Sequence, residues 1–478
     1  MRRALLFEQA ERLHYAVMAA ERVRLLNQTP ARREGRYVLY WIQANRRTEF
    51  NHALIHAAQV ANDLELPLLC YEELDCAQPF ASDRSHTFHL EGVPETEAAL
   101  KKLGAGYIFH LRRRRADPPS PLPGLLEEAA AAVTDDHPTL SATPDVEIPF
   151  SAVDSSCVVP MSLIPAQAYA AYSIRPKIQR LLPIHQKATP GAVLRRRFLG
   201  EPPATHTVVR QEEIASLVAD SEIDHSVAPS LTHRGSRKDA EKHLDRFLKE
   251  RLRRYARSRN EPSEHATSEL SPYLHCGLIS PLEVALETES YALEHKLMAG
   301  EFLEELIVRR ELAFNFARHA AAPPSLGSLP EWARKTLQEH RRDRRPHSYT
   351  ASQFRAAETH DALWNATQKE MLLRGKIHGY YRMYWGKKII EWSRAPEEAL
   401  ETMTYIHDRY ALDGRDPNTY ANILWCFGLH DRPWPERPIF GKVRYLSLEG
   451  MKRKTNVQAY LQEIETLERT GRDPFRIQ

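Results

Sequence analysis

The stretch Arg36–Gln43, RYVLYWIQ, decides how the first third of the chain is read. Its β-branched and aromatic residues suit a buried strand. Working outward, RTEFNHALIHAAQVANDL (47–64) repeats apolar residues at helical spacing. LPLLCYEEL (66–74) is a second strand and GYIFHL (Gly106–Leu111) a third. Strands alternating with helices predict a Rossmann-like, doubly wound parallel sheet, an α/β unit. No GxGxxG follows the first strand, and Gly104 and Gly106 precede a strand instead of opening a helix, which argues against a dinucleotide fingerprint. DPPSPLPG and EEAAAAVTDD, between Asp117 and Phe150, read as loop and helix that complete this unit. The start, MRRALLFEQAERLH, reads as an amphipathic helical extension. The expected organisation is an α/β domain over 1–150, a connector over 151–225 and an all-α domain over 226–478. In the last of these, AEKHLDRFLKERLRRYARSR, EFLEELIVRRELAFNFARHA and GYYRMYWGKKIIEW all carry the 3.6-residue period.

The chain has 478 residues, 42% hydrophobic and 27% charged, the balance of a soluble protein with sizeable cores. No apolar run reaches the roughly 20 residues of a membrane helix, and the basic start lacks a signal-peptide core, so a cytosolic protein without membrane partners is expected. Five scattered cysteines without a CxxC pair indicate neither a disulfide framework nor a zinc site. Net charge is only +3, but from Arg432 to Lys454 seven basic residues face two acids. Such a segment suits either a polyanion footprint or an ordinary solvated face.

Chemistry-bearing residues concentrate in the helical half. In KIHGYYRMYWGKKIIEW (Lys376–Trp392), His378, Arg382, Trp385, Ile389 and Trp392 share one helical face. Rings packed with an arginine stem explain that stripe by themselves. YARSRNEPSEHATSELSPYLHCG sets Tyr255 twelve residues before Thr267. Thr267, Ser268 and Ser271 then put hydroxyls before Pro272, at the first turn of a helix. Such an entrance suits a phosphate, and helix capping accounts for it equally. Glu305 stands one turn from Arg309, the spacing of a surface ion pair. DRYALDGRDPNTY (Asp408–Tyr420) departs from the calcium-loop spacing, so Asp408, Asp413 and Asp416 are expected to meet an arginine such as Arg382, or a ligand.

Together these elements resemble the photolyase and cryptochrome flavoprotein family, and within it the class II cyclobutane pyrimidine dimer photolyases. The Tyr255 and TSELSPYLH segments, FLEELIVRREL, HDALWNATQ, KIHGYYRMYWGKKIIEWS, DRYALDGRDPN and ERPIFGKVRY with KRK match the family's blocks in order. The resemblance spans most of residues 36–460. It implies an α/β domain followed by an all-α FAD-binding domain, and a light-driven enzyme that repairs dimers in UV-damaged DNA. Excited, fully reduced FAD would pass an electron to a flipped-out dimer, the ring would split, and the electron would return. By the same resemblance Tyr255, Thr267, Ser268, Leu270 and Ser271 hold the FAD phosphates and ribityl chain. Arg382 and Asp413 form a buried pair beside the flavin, with His378 and His407 also at the cofactor. Glu305 hydrogen-bonds both dimer and cofactor site, and Met383 and Trp425 flank the dimer. Trp385, Trp364 and Tyr349 carry an electron from the surface to oxidised flavin, while Trp392 is expected only to pack. Arg432, Trp434 and Arg444 border the gap left in the duplex, and Lys452, Arg453 and Lys454 lie near phosphates.

Two positions depart from the class II pattern. His407 stands where the family usually has asparagine, and an imidazole there can gain charge near neutral pH. One residue is also missing between Trp425 and Gly428, which loosens the match at Trp425. A deazaflavin or folate antenna in the first domain is compatible with the family, as is a cryptochrome-like photoreceptor without repair activity. Glu305 and the basic Trp434 segment favour repair. No obligate protein partner is implied, and a monomer is expected.

Overall fold

The computed structural model describes residues 20–140, 144–200, 205–320 and 325–473. The amphipathic extension expected over residues 1–14 lies outside the described residues. Six strands, β1 Val23–Leu25, β2 Tyr37–Trp41, β3 Leu68–Asp75, β4 Gly106–Arg112, β5 Ala129–Asp135 and β6 Phe150–Val153, form one sheet in the order β1-β6-β5-β2-β3-β4. All neighbours are parallel except β1, which pairs antiparallel with β6. Every residue of β2 is buried, as expected for a strand covered on both faces. Helices α1 His52–Asp63 and α2 Asp83–Leu103 supply the crossovers between β2, β3 and β4.

EEAAAAVTDD corrects the expectation of loop and helix. Residues Ala129–Asp135 are a fully buried strand beside β2, and only Leu122–Glu128 before them is helical. Alanine favours helices in isolation, but in the middle of a doubly covered sheet its small side chain fits a crowded interior, and packing overrides propensity. Crowding is measurable at Gly35, where a Cβ would stand 2.3 Å from the Ala130 nitrogen. β6 runs through residue 150 to Val153, and the following segment contains helix α3 Ala171–His185.

The helical part contains, among others, α4 Arg237–Arg246, α5 Ser271–His275, α6 Arg310–His319, α7 Ala362–Arg374, α8 Gly379–Trp392, α9 Pro396–Tyr410, α10 Pro417–Cys426 and α11 Val457–Thr470. Its largest core gathers around α8, which buries residues on all sides: Tyr381, Tyr384, Trp385, Ile389, Ile390 and Trp392. Such a helix belongs at the centre of a domain. The His378 side chain accepts the Tyr380 amide and caps it, so the helix begins at Gly379 instead of at Lys376.

The two parts meet without slack. Arg84 of α2 donates to the carbonyls of Met371 (2.9 Å) and Tyr410 (2.6 Å), and Arg47 donates to Gly277 (3.3 Å). Gly277 has φ +60°, and a Cβ there would lie 1.9 Å from the Ala44 carbonyl oxygen at the end of the β2 strand. Gly277→Val therefore combines an unfavourable backbone conformation with a backbone clash. It is expected to cost about 2 kcal/mol or more, read as a lower urea midpoint; an unchanged midpoint would mean that the contact is not tight.

Candidate functional site

Residues from the segment before α5, from α9, from the α9–α10 loop and from α10 gather beside α8 or the residues just before it. Arg382, on its second turn, places Nη2 3.1 Å from Asp413 Oδ2, and Asp413 lies in the loop joining α9 to α10. Burial alone would raise the Asp413 pKa, but Arg382, His407 and Lys376 hold it down at about 2. Of the three aspartates Asp408, Asp413 and Asp416, only Asp413 meets Arg382. Asp408 accepts from the Arg415 amide (2.9 Å) and Tyr420 hydroxyl (3.1 Å), and Asp416 caps α10 and meets His275 at 3.1 Å.

His407 on α9 is fully buried, its ring edge-on to Trp385 at 5.4 Å. Burial, reinforced by the Arg382 charge, pushes its pKa down to about 3 against the pull of Asp413. His378 is likewise pushed down to about 3 by burial and Lys376. Both imidazoles are thereby held neutral at neutral pH, so the charge that an imidazole at position 407 can gain is suppressed by desolvation. Both ring nitrogens of His407, Nε2 of His378, Nε of Arg382 and Oγ of Ser271 are buried without a protein hydrogen-bond partner. Buried polar atoms ordinarily find partners. Here they surround one region, and that donor set fits a large polar cofactor with hydrogen-bonding heteroatoms.

Pro272 does occupy the first turn of α5, which Ser271 opens. Leu270 is buried before it, and the Arg251 side chain fixes the Thr267 carbonyl at 2.9 Å. The Thr267 hydroxyl bonds Glu269, which pairs with Lys376 at 2.9 Å, tying this segment to the chain just before α8. Ser268 is half-buried beside them, and Tyr255 is buried, its ring edge-on to Phe302 at 5.4 Å.

Glu305 does not pair with Arg309. Residues Glu304–Arg309 form a π turn, in which residues five apart come together, and Arg309 reaches Glu304 at 3.5 Å. Glu305 is freed to meet Arg259 at 2.6 Å, and 42% of its side chain remains exposed. Between α8, α9 and α10 a cleft is lined by Arg382, Met383, Trp385, His407, Asn422 and Cys426. Asn422, an exposed polar residue on α10, was not singled out in the sequence because nothing in its local pattern marks it.

Beyond Asn422 lies a cationic aromatic patch. The Arg444 guanidinium stands 4.8 Å from the Trp434 ring and 5.7 Å from that of Trp425, and Arg432 lies 5.1 Å from Trp434. These distances suit cation–π contact. Buried Lys387 lies 4.9 Å from the Trp425 ring, its pKa lowered by burial to about 8. Lys452, Arg453 and Lys454 are exposed at the end of the short helix Leu448–Lys454, and Lys452 borders a different cavity beside His360 and Trp392.

The redox-active rings line up, with one addition. Trp385 and Trp364 stack nearly parallel at 6.3 Å, and the Trp364 indole donates to the Trp385 carbonyl at 3.0 Å. Trp392 follows at 6.1 Å from Trp364, and Tyr349 at 5.6 Å from Trp392. Trp392, expected only to pack, thus bridges Trp364 to Tyr349. Its seven-residue spacing from Trp385 was visible, but its neighbours across the fold were not.

The doubly wound sheet followed by a helical domain is the fold of solved photolyases and of a cryptochrome. The DNA photolyase family model matches residues 38–193, and the chain belongs to the DNA photolyase family. It is similar to the deoxyribodipyrimidine photo-lyase of Methanothermobacter thermautotrophicus, 40% identical over 94% of this chain and 99% of that one. The Arabidopsis thaliana enzyme of the same name is 36% identical over 90% of this chain and 89% of its own. The solved structure of the archaeal photolyase from Sulfolobus tokodaii with two FAD molecules shares the fold at TM-score 0.63 and 14% identity, covering 92% and 95% of the two chains.

Neutral buried histidines carry a signature in acid. Between the usual histidine value near 6.5 and the folded value of about 3, the unfolded chain binds more protons than the native one. Stability must therefore rise with pH across that window. His407→Asn removes one such group and is expected to flatten the slope of unfolding free energy against pH by up to about 1.4 kcal/mol per pH unit. An unchanged slope in urea titrations from pH 4 to 6 would mean that His407 is not held neutral.

Proposed function

We propose that this chain is a deoxyribodipyrimidine photo-lyase of class II type, which uses light to split cyclobutane pyrimidine dimers in damaged DNA. The observation that carries the reading is the cradle of unpartnered buried polar atoms on Ser271, His378, Arg382 and His407, bordered by the tryptophan row on one side and the cationic aromatic patch on the other. FAD, when bound fully reduced, supplies the light-excitable electron donor. Thr267, Ser268, Leu270 and Ser271, with Tyr255 behind them, hold its phosphates and ribityl chain. Arg382, held by Asp413, would offer its unpartnered Nε to the flavin, and Asp413 has a positioning role because a lone guanidinium buried at this depth would be costly. His378 and His407 offer neutral ring nitrogens and add no positive charge.

A dimer inside a duplex cannot reach this depth, so it enters flipped out, at an unstacking cost that damage lowers. It would stop at the mouth of the cofactor cradle, with Met383 and Trp425 against its faces and Glu305 as hydrogen-bond acceptor. Arg259 pairs with Glu305 at 2.6 Å, so Glu305 would meet the neutral N–H groups of the dimer from a carboxylate that a guanidinium already holds in place. Arg432, Trp434 and Arg444 fill the vacated base stack, and Lys452, Arg453 and Lys454 contact phosphates, which carry affinity but no sequence preference. Trp385, Trp364, Trp392 and Tyr349 form the route by which surface electrons return oxidised cofactor to its working state. A single chain contains every part, consistent with a monomer. A second chromophore, deazaflavin or folate, would sit in the α/β part as an antenna.

Purified protein is expected to show flavin absorption and, once reduced and illuminated, to remove dimers from DNA; flavin binding without dimer loss would make it a photoreceptor. Glu305→Ala is expected to slow repair about 10- to 100-fold, the worth of a charge-assisted hydrogen bond, with FAD retained. Repair at the original rate would remove Glu305 from the site. Trp385→Phe should abolish photoreduction yet spare repair by chemically reduced enzyme, measured by flash absorption and dimer assay; persistent photoreduction would reject the row.

A further inference from the structure

Tyr349, at the outer end of the aromatic row, has a base on its hydroxyl. Its Oη lies 2.6 Å from Nδ1 of His360, and the backbone N–H of His360 donates to the same oxygen at 3.0 Å. With the amide on one Oη lone pair, the phenolic proton is free to point at Nδ1, and at 2.6 Å the contact suits O–H donation to a neutral ring whose Nδ1 is unprotonated. The imidazole stacks on His347 at 3.8 Å and lies 5.0 Å from Trp392. It faces a cavity of about 560 Å³ lined also by His347, Asp361, Lys388, Glu391 and Lys452. His360 is exposed there. Burial of its inner edge and the neighbouring His347 and Lys388 favour the neutral ring, while Asp361 and Glu391 favour the imidazolium.

Loss of an electron turns a phenol into a very strong acid, so oxidising tyrosine without a base in contact passes through a high-energy cation. Tryptophan needs no such partner. The indole N–H groups of Trp385 and Trp364 point to fixed acceptors, the Gln368 side chain (2.9 Å) and the Trp385 carbonyl (3.0 Å), neither of them a base at neutral pH. Tyr349, unlike Trp385 and Trp364, has an imidazole in contact with its acidic proton.

We propose that His360 is the proton acceptor that allows Tyr349 to be the terminal electron donor of the row. An electron leaves the Tyr349 phenol for the oxidised Trp392 indole, which returns to its closed-shell form, while the phenolic proton moves from Oη to Nδ1 of His360. The products are a neutral tyrosyl radical and an imidazolium. The imidazolium passes its proton through the cavity to water. The positive charge thereby leaves the row, and the electron cannot fall back without recovering that proton. The inference rests on the reading that the row serves light-driven reduction of oxidised flavin, which supplies the original oxidant.

The test uses flash absorption of the flavin-loaded protein in H₂O and D₂O. The native protein is expected to form the tyrosyl radical more slowly in D₂O. His360→Gln, which keeps the amide but lacks the base, should slow radical formation about 100-fold or more, and added imidazole, which fits the cavity, should restore it. An independent readout is the ¹⁵N spectrum of His360 before flavin is loaded, expected to show Nδ1 as a bare acceptor whose resonance shifts in Tyr349→Phe. Equal rates in H₂O and D₂O for the native protein, or an unslowed His360→Gln, overturns the proposal. A tyrosyl signal that persists in Tyr349→Phe instead rejects the row's end, and an absence of any photoreduction rejects the functional reading itself.

Discussion

Arg382 and Asp413 form an ion pair in which neither side chain is more than 14% exposed, and the active region is arranged around the cost of burying it. Removing either partner would strand a charge at several kcal/mol. The pair bolts α8 to the loop between α9 and α10, where the Thr419 hydroxyl holds the Asp413 carbonyl at 2.6 Å and the Leu412 amide donates to Gly375. With that loop fixed, α9 presents His407 and α10 presents Asn422 to the same cleft. A charge that must not move makes the surrounding backbone equally immobile, as a site needs when its reaction depends on distance and field.

The desolvation that makes the ion pair costly also decides the behaviour of its neighbours. His378 and His407 are kept neutral by it, and the Lys387 pKa is lowered to about 8. The region therefore holds its charges in fixed pairs, Arg382 with Asp413 and Lys376 with Glu269, and its histidines add none. The tryptophans benefit likewise: Trp364, Trp385 and Trp392 are each at most 2% exposed, so charge moving among them meets little solvent reorganisation. At Tyr349, beside the exposed His360, the row approaches water.

Where local pattern and tertiary demand agree, the chain was readable. RYVLYWIQ, LPLLCYEEL and GYIFHL became β2, β3 and β4, and the helical second half followed from its period. EEAAAAVTDD was misread because alanine's helix preference was overruled by a sheet interior that admits only small side chains. The resemblance brought Arg382 and Asp413 to each other from positions 31 residues apart, which spacing alone does not do. The Glu305–Arg309 spacing misled because a π turn shifts the facing residue by one, and no residue type announces such a turn. Trp392, His360 and Asn422 owe their places to neighbours from other helices, information that a linear pattern does not contain.

The contact between Gly277 and Ala44, with Arg47 and Arg84 reaching across the same boundary, leaves the two halves no hinge at that point. A body that cannot open like a jaw has one remaining way to take a lesion from a duplex, which is to let the duplex deform. The work of recognition then falls on the nucleic acid: its bending stiffness, stacking strength and sequence-dependent kinking set how readily a dimer reaches the cofactor cradle. Two lesions identical in chemistry would be processed at different rates in rigid and pliable tracts, so the mechanics of the flanking helix become part of the enzyme's specificity.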